Sequence, residues 1–166
     1  MLGSFPCFNG SDYGDWFYSG SGRNEFWPLL SKVYNAPATT REHKEMLCQA
    51  HGIAITDIAL KIQRTKGNCS DTNLNILEIN KAGIYQCLSA GVKLILFTSK
   101  FVEKLFQKHF PEVKLPTYAL LSPSPAVNQY LPAREKYKKL LAEGKITSAF
   151  EYKLLQYRLV FTDKTI

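Results

Sequence analysis

The chain has 166 residues, enough for one hydrophobic core but too few for two domains of ordinary size. Its formal net charge is +7, from 21 lysines and arginines against 14 aspartates and glutamates, and this balance favours a nucleic acid or another polyanion as partner. No apolar run reaches the roughly 18 residues that a membrane helix needs, and only Met1 and Leu2 precede Gly3, so we expect an intracellular, cytoplasmic protein of bacterial type with no membrane association.

The cysteine spacing argues against a metal site. Four cysteines, at positions 7, 48, 69 and 87, form no Cys-x-x-Cys pair, which is unlike a zinc ribbon or a compact iron–sulfur motif. Free thiols are the default in an intracellular protein. We therefore expect unpaired cysteines, no metal and no cofactor.

A long loop rich in aromatic residues follows a very short first strand. Gly3 and Pro6 predict a tight turn, in which peptide N–H groups can approach a ligand closely. The aromatic residues of the loop are Phe8, Tyr13, Trp16, Phe17 and Tyr18. Rings exposed on a loop commonly stack on a ligand, and a surface loop whose rings are buried in the core is the alternative.

Two helices are predicted next, followed by a strand. Apolar residues at helical spacing predict a helix over residues 24–34. The capping-box pair Thr39 and Glu42 predicts a second helix from about 40 to 51. The apolar segment 52–62 then predicts a buried parallel strand.

Polar residues interrupt and follow this strand. Asp57 lies within it, and we interpret it as a strand-end residue that caps a turn. The polar segment 64–73 predicts a loop, whose basic start is either a phosphate contact or simply solvated.

The next part of the chain alternates helices and strands. The patterns predict a helix over 81–90, a strand over 92–97, an amphipathic helix whose apolar face begins at Phe101, and a last central strand over 117–121.

The C-terminal part begins with a proline-rich segment. Because proline cannot join a sheet ladder, Ser122–Asn128 is predicted to be a rigid loop at a strand's carboxyl end. A basic helix from Arg134 to Leu141 follows. The apolar residues of segment 146–166 predict that it packs on the domain.

This order of elements predicts a single α/β domain over residues 1–166, a sandwich with a mainly parallel sheet. In such folds ligands bind at the carboxyl ends of the strands. The segments that regular structure leaves unexplained fall at this edge, namely Gly3–Asn24, Thr56-Asp57 and the residues after it, and Ser122–Asn128.

Five short motifs follow one another in a recognisable order. They are Gly-Ser-Phe-Pro at 3–6, Phe17-Tyr18 with Gly-Arg-Asn-Glu-Phe-Trp at 22–27, Gly-Ile-Ala-Ile-Thr-Asp at 52–57, Ser-Asp-Thr-Asn at 70–73, and Leu-Ser-Pro-Ser-Pro-Ala at 121–126. Together they resemble the uracil-DNA glycosylase superfamily, nearest its hypoxanthine-DNA glycosylase-like branch. The resemblance spans about residues 3–140 and leaves 146–166 as an extension of unplaced role.

The resemblance implies a fold and an activity. The fold is a three-layer α/β/α sandwich with a central, mainly parallel four-stranded sheet. The activity is that of a monofunctional DNA glycosylase of base excision repair, a monomer that flips a deaminated base (hypoxanthine or uracil) out of DNA and hydrolyses its N-glycosidic bond.

The resemblance also implies roles for individual residues. Asn24 would orient the attacking water. The base pocket would be formed by Ser4, Phe5, Phe17, Tyr18 and Thr98. DNA would be bound by Ser122, Pro123, Ser124, Pro125, Ala126, Arg134 and Lys136.

Two positions depart from the pattern of that branch. Cys7 stands where a small residue is usual, and Thr98 stands where an asparagine often reads the flipped base. Thr98 offers one hydroxyl in place of an amide with both donor and acceptor. The resemblance therefore leaves the preferred base open.

Each role has a plainer alternative. Asn24 is also a good helix N-cap, Ser122 and Ser124 are also loop-forming residues, and the basic helix is also an ordinary solvated face. The alternative function is a non-catalytic nucleic-acid-binding relative of the same fold.

Overall fold

The computed structural model describes residues 1–8 and 10–162, so the last four residues of the predicted extension, 163–166, lie outside the described residues. The chain divides into two compact units. The first comprises Met1–Ser21 and Cys48–Leu120. The second comprises Gly22–Leu47 and the described residues from Leu121 onward.

The strands are β1 (Leu2–Gly3), β2 (Thr56–Asp57), β3 (Ala59–Arg64), β4 (Leu74–Ile79), β5 (Ile95–Phe97) and β6 (Thr117–Ala119). The α-helices are α1 (Phe26–Tyr34), α2 (Arg41–Ala50), α3 (Lys81–Ser89), α4 (Lys100–His109), α5 (Glu135–Ala142) and α6 (Ala149–Thr162). Two further segments, Asp71–Asn73 and Pro125–Ala133, are 3₁₀ helices. No helix in the described part of the chain is long and apolar enough to cross a membrane.

The first unit is built on a four-stranded parallel sheet of order β2-β1-β5-β6. The two-residue strand β1 lies inside the sheet, because Leu2 pairs with Thr56 on one side and with Phe97 on the other. The predicted fold class, an α/β protein with a mainly parallel four-stranded central sheet, is confirmed, and the helical content is consistent with a three-layer α/β/α sandwich.

Helix α4 covers the sheet with the apolar face that the sequence predicted. Val102 and Phe106 join Leu2, Ile58 and Phe97 in one buried cluster. Each of these side chains is at most 3% exposed, so burial of apolar area is the main force that holds α4 on the sheet.

The prediction of one strand over 52–62 is wrong. The parallel strand β2 ends at Asp57, and β3 instead pairs with β4 in a separate antiparallel hairpin. From Lys61 to Arg64, strand β3 alternates between exposed and less exposed residues, as expected of a two-stranded ribbon with one face in solvent. Strand β4 follows the predicted polar loop and was not predicted.

The last strand also differs from the prediction. Strand β6 is shorter than predicted, Thr117–Ala119, and lies at the edge of the sheet rather than centrally. The predicted rigid loop Ser122–Asn128 is a loop only up to Ser124, because the 3₁₀ helix begins at Pro125.

The second unit is helical. Its core cluster contains Leu131, Tyr137, Ile146 and Tyr152. Helix α6, which lies within the predicted extension, packs on α1 and buries the Tyr157 side chain completely. The predicted packing of the tail is therefore confirmed over its described residues.

The predicted cap of α2 is one residue too early. The Oγ1 atom of Thr40, and not that of Thr39, accepts the backbone N–H of His43 at 3.2 Å. Thr39 Oγ1 instead lies 3.1 Å from the ring nitrogen Nδ1 of His43.

Candidate functional site

The carboxyl end of the parallel sheet gathers several predicted site residues of the first unit. Strands β1, β2 and β5 are parallel neighbours, so the residues at and just after their ends share one edge. These are Ser4 after β1, Asp57 at the end of β2, and Thr98 with Ser99 after β5.

Asp57 is a buried acid at this edge, with 8% of its surface exposed. Burial raises the pKa of its carboxyl from 3.8 to about 7, and the negative charge of Asp71 adds to the rise. Among residues 1–8 and 10–162 no group donates a hydrogen bond to this carboxyl, so the interpretation that it caps a turn is wrong. The strand end is held instead by Asn80, whose amide nitrogen donates to the backbone oxygen of Asp57 at 3.1 Å.

Gly3 packs directly on Asp57 and Tyr18. A Cβ atom added to Gly3 would collide with Oδ1 of Asp57 and would lie 2.7 Å from the Tyr18 hydroxyl. No larger residue therefore fits at position 3 without moving one of these side chains. Tyr18 itself has a left-handed backbone, with φ of 60°, which is uncommon for an aromatic residue.

The aromatic loop is only partly exposed. Phe8 and Tyr13 are 45% and 51% exposed, and their ring centroids lie 5.2 Å apart. Phe17 and Tyr18 are half-buried, and the Phe17 ring meets that of Trp16 edge to face. The prediction of exposed rings therefore holds for Phe8 and Tyr13, while the two predicted base-stacking residues are more enclosed.

A disulfide ties this loop to the β3–β4 connection. Cys7 and Cys69 are bonded, with their Cα atoms 5.3 Å apart, so the expectation of free thiols is wrong for this pair. Arg64 supports the same junction, because its Nη2 donates to the backbone oxygen of Pro6 at 3.1 Å. Cys48 and Cys87 are free.

Thr98 is turned toward the sheet. It is 7% exposed, and both its N–H and its hydroxyl donate to the backbone oxygen of Leu2, at 3.1 and 3.4 Å. The single donor that the sequence offered for base reading is therefore occupied within the chain.

Asn24, in the second unit, lies at the start of α1. Its Oδ1 accepts the backbone N–H of Phe26 at 2.9 Å. Glu25 occupies the N-cap position of α1 and makes no side-chain cap bond. The bond from Phe26 to Asn24, one residue before the cap, is therefore an Asx turn that supports the helix start in the way the capping alternative expected. An amide oxygen has a second lone pair, so the bond to Phe26 leaves one acceptor position for water.

The segment Leu121–Ser124 is anchored by α6 and by the residue before α1. The fully buried Lys153 donates to the backbone oxygen of Ser124 at 3.0 Å and to Oε2 of Glu25 at 2.5 Å. The Glu25 N–H donates to the Pro123 oxygen at 3.0 Å. Desolvation lowers the pKa of Lys153, and the hydrogen bond to Glu25 opposes that change.

Sequence reasoning missed this anchor. Lys153 is one of three charged residues in α6, with Glu151 and Arg158, and Glu25 precedes it by 128 residues. The serines of the predicted DNA-binding segment form local bonds, since Ser122 Oγ accepts from the Ser124 N–H and Ser124 Oγ from the Ala126 N–H. These bonds support their loop-forming alternative.

The basic helix presents free cations to solvent. Arg134 and Lys136 are exposed, and neither is in a salt bridge within the described residues. Lys138, by contrast, pairs with Glu135 at 2.8 Å.

In the described part of the chain no group of three or more histidine, cysteine or acidic residues is placed to hold a metal ion.

Comparisons with protein-family models and with curated proteins find no match for this chain.

Proposed function

We propose that this protein is a monomeric DNA glycosylase of the uracil-DNA glycosylase superfamily, which removes a deaminated base from DNA. The observation that carries the proposal is the position of the Gly3–Pro6 motif. It follows a strand inside a parallel sheet, at the carboxyl edge where α/β proteins bind ligands.

The reaction needs positioning more than strong acid–base chemistry. The sugar becomes cationic as the base leaves with the electron pair of the N-glycosidic bond. Water then adds to the sugar carbon and loses a proton, and the base anion gains one, which leaves an abasic sugar and the neutral free base. In the proposal Asn24 orients this water. The rings of Phe17 and Tyr18 stack on the base, and each such contact contributes roughly 1–3 kcal/mol.

The second unit supplies features suited to the DNA backbone. The anchored Pro123, with Pro125 at the start of the 3₁₀ helix, gives a stiff segment of the kind that opens a base step. The exposed cations of Arg134 and Lys136 attract phosphates irrespective of sequence. A net charge of +7 supports the same partner.

A non-catalytic nucleic-acid-binding protein of the same fold is the second candidate. It is favoured by the internal bonds of two predicted site residues. The Asn24 carbonyl oxygen accepts the N–H of the first residue of α1, Phe26, and the Thr98 hydroxyl is bonded to Leu2.

One panel of DNA substrates separates the two functions. Duplexes that carry deoxyinosine, deoxyuridine or only normal bases are incubated with excess protein, and abasic sites and binding are both measured. Abasic sites at deoxyinosine or deoxyuridine support the glycosylase. Binding to all duplexes without abasic sites supports the second candidate.

Variants of α5 provide a matched control for the binding measurement. Lys136→Gln removes an unpaired cation and should weaken binding to every duplex and reduce its salt dependence. Lys138→Gln removes a cation that is already paired with Glu135 and should have the smaller effect.

A further inference from the structure

Asp57 is a buried acid for which the proposed reaction provides no role. It ends β2 beside the Gly3 motif, and only 8% of its surface is exposed. No hydrogen bond reaches its carboxyl from the part of the chain that the structure describes. Neither carboxyl oxygen is among the atoms of the described chain that are both fully enclosed and unbonded, so a partner from outside the chain can reach this group.

The groups around Asp57 favour its neutral form. Burial disfavours the charged carboxylate, and Asp71 adds a negative charge from the 3₁₀ turn. The amide nitrogen of Asn80 donates to the backbone oxygen of Asp57 and not to its carboxyl. No lysine, arginine or histidine within the described ranges forms a salt bridge with it. A neutral carboxyl carries a donor and an acceptor on adjacent oxygens.

We propose that Asp57, as a neutral carboxylic acid, reads the lactam edge of the flipped base. Its O–H donates to the base carbonyl oxygen, and its C=O accepts the neighbouring ring N–H. Hypoxanthine and uracil both present this pair of groups. The inference rests on the proposed glycosylase function, and it gives Asp57 the reading role that Thr98 cannot fill while its hydroxyl is bonded to Leu2.

Ionisation of Asp57 would remove the reading contact. A carboxylate has no O–H to donate, and its charge would repel the negative charge that develops on the leaving base.

The pH profile of single-turnover cleavage tests the role of Asp57. For the wild type, the rate on the better of the deoxyinosine and deoxyuridine duplexes should fall as pH rises through about 7. Asp57→Asn keeps a donor and an acceptor but cannot ionise, so its rate should persist and stay flat. Asp57→Leu should lose about 10²-fold or more.

Asp71→Asn is the positioning control. It removes the neighbouring negative charge but keeps an oxygen that can accept from Ser99, which now donates to Asp71 at 3.1 Å. The midpoint of the pH profile should therefore move to lower pH. A merely structural role of Asp57 would leave this midpoint unmoved.

A binding measurement separates this inference from the proposed function. Free hypoxanthine and free uracil are titrated into wild type and Asp57→Leu at pH 6 and pH 8, and weaker binding at pH 8 by wild type alone is expected. Cleavage whose pH profile is the same in wild type and Asp57→Asn overturns the inference and leaves the glycosylase standing. If the wild type cleaves no substrate, the glycosylase proposal is overturned. If it still binds the free base in a pH-dependent way that Asp57→Leu abolishes, the reading role of Asp57 is kept.

Discussion

The buried carboxyl of Asp57 should make the protein less stable as pH rises. Its pKa is about 7 in the folded chain against 3.8 ordinarily, so the folded state keeps a proton that the unfolded state releases. The free energy of unfolding should therefore fall between about pH 4 and pH 7 and then level off. A difference of about 3 pKa units at roughly 1.4 kcal/mol each gives a loss of up to about 4 kcal/mol.

Asp57→Asn isolates this effect, because the amide does not titrate while most other groups titrate alike in both proteins. Urea denaturation at half-unit steps from pH 4 to pH 8 gives the difference in unfolding free energy. We expect this difference to move in favour of the variant by a few kcal/mol across the range. A difference that stays constant would refute the reasoning, since Asp57 would then titrate alike in the folded and unfolded chain.

Three further predictions concern the remaining features. Asn24→Ala should cost about 1 kcal/mol of stability through the lost bond to the Phe26 N–H, and about 10²–10³-fold in the single-turnover rate. Asn24→Asp should keep most of both, and a lower melting temperature with an unchanged rate in Asn24→Ala would remove Asn24 from catalysis. Lys153→Met leaves the Glu25 charge without its partner and should destabilise by roughly 3 kcal/mol or more, part of which Glu25→Gln should restore in the double variant, as measured by urea denaturation. A reducing agent should lower the melting temperature of the wild type, because the Cys7–Cys69 bond spans 62 residues and contributes about 4 kcal/mol of stability. The double variant Cys7→Ser, Cys69→Ser should not respond to the reducing agent, and an equal response in both proteins would contradict the stabilising role of the bond.

Local patterns predicted the helices and the fold class well. The amphipathic spacing from Phe101 to Phe106 specified α4 and its buried face. The predicted helix over 81–90 corresponds to α3 (Lys81–Ser89). These patterns succeed because a helix face repeats over several turns and is read within one segment.

The strands were harder to predict for a physical reason. Strands β1 and β2 have two residues each, too few to carry an alternating pattern. The apolar run over 52–62 therefore looked like one strand, although the chain leaves the parallel sheet after Asp57 and continues into the β3–β4 hairpin.

The site depended on contacts between distant residues. The Cys7–Cys69 bond and the Lys153–Glu25 pair join positions 62 and 128 residues apart, and no spacing rule connects them. The isolation of the Asp57 carboxyl is likewise a property of its burial and its neighbours. Sequence motifs indicated the edge of the sheet, and the structure was needed to find which side chains there lack or already have partners.

Release of a free base from DNA tests the central claim most directly. The wild type, in excess over a duplex with one deoxyinosine or one deoxyuridine, is quenched over time, and the products are analysed by mass spectrometry. The proposed function predicts free hypoxanthine or free uracil in step with one abasic site per duplex. The proposed function would be contradicted if the modified DNA stays intact after prolonged incubation at pH 6 while the protein is folded and bound to the duplex.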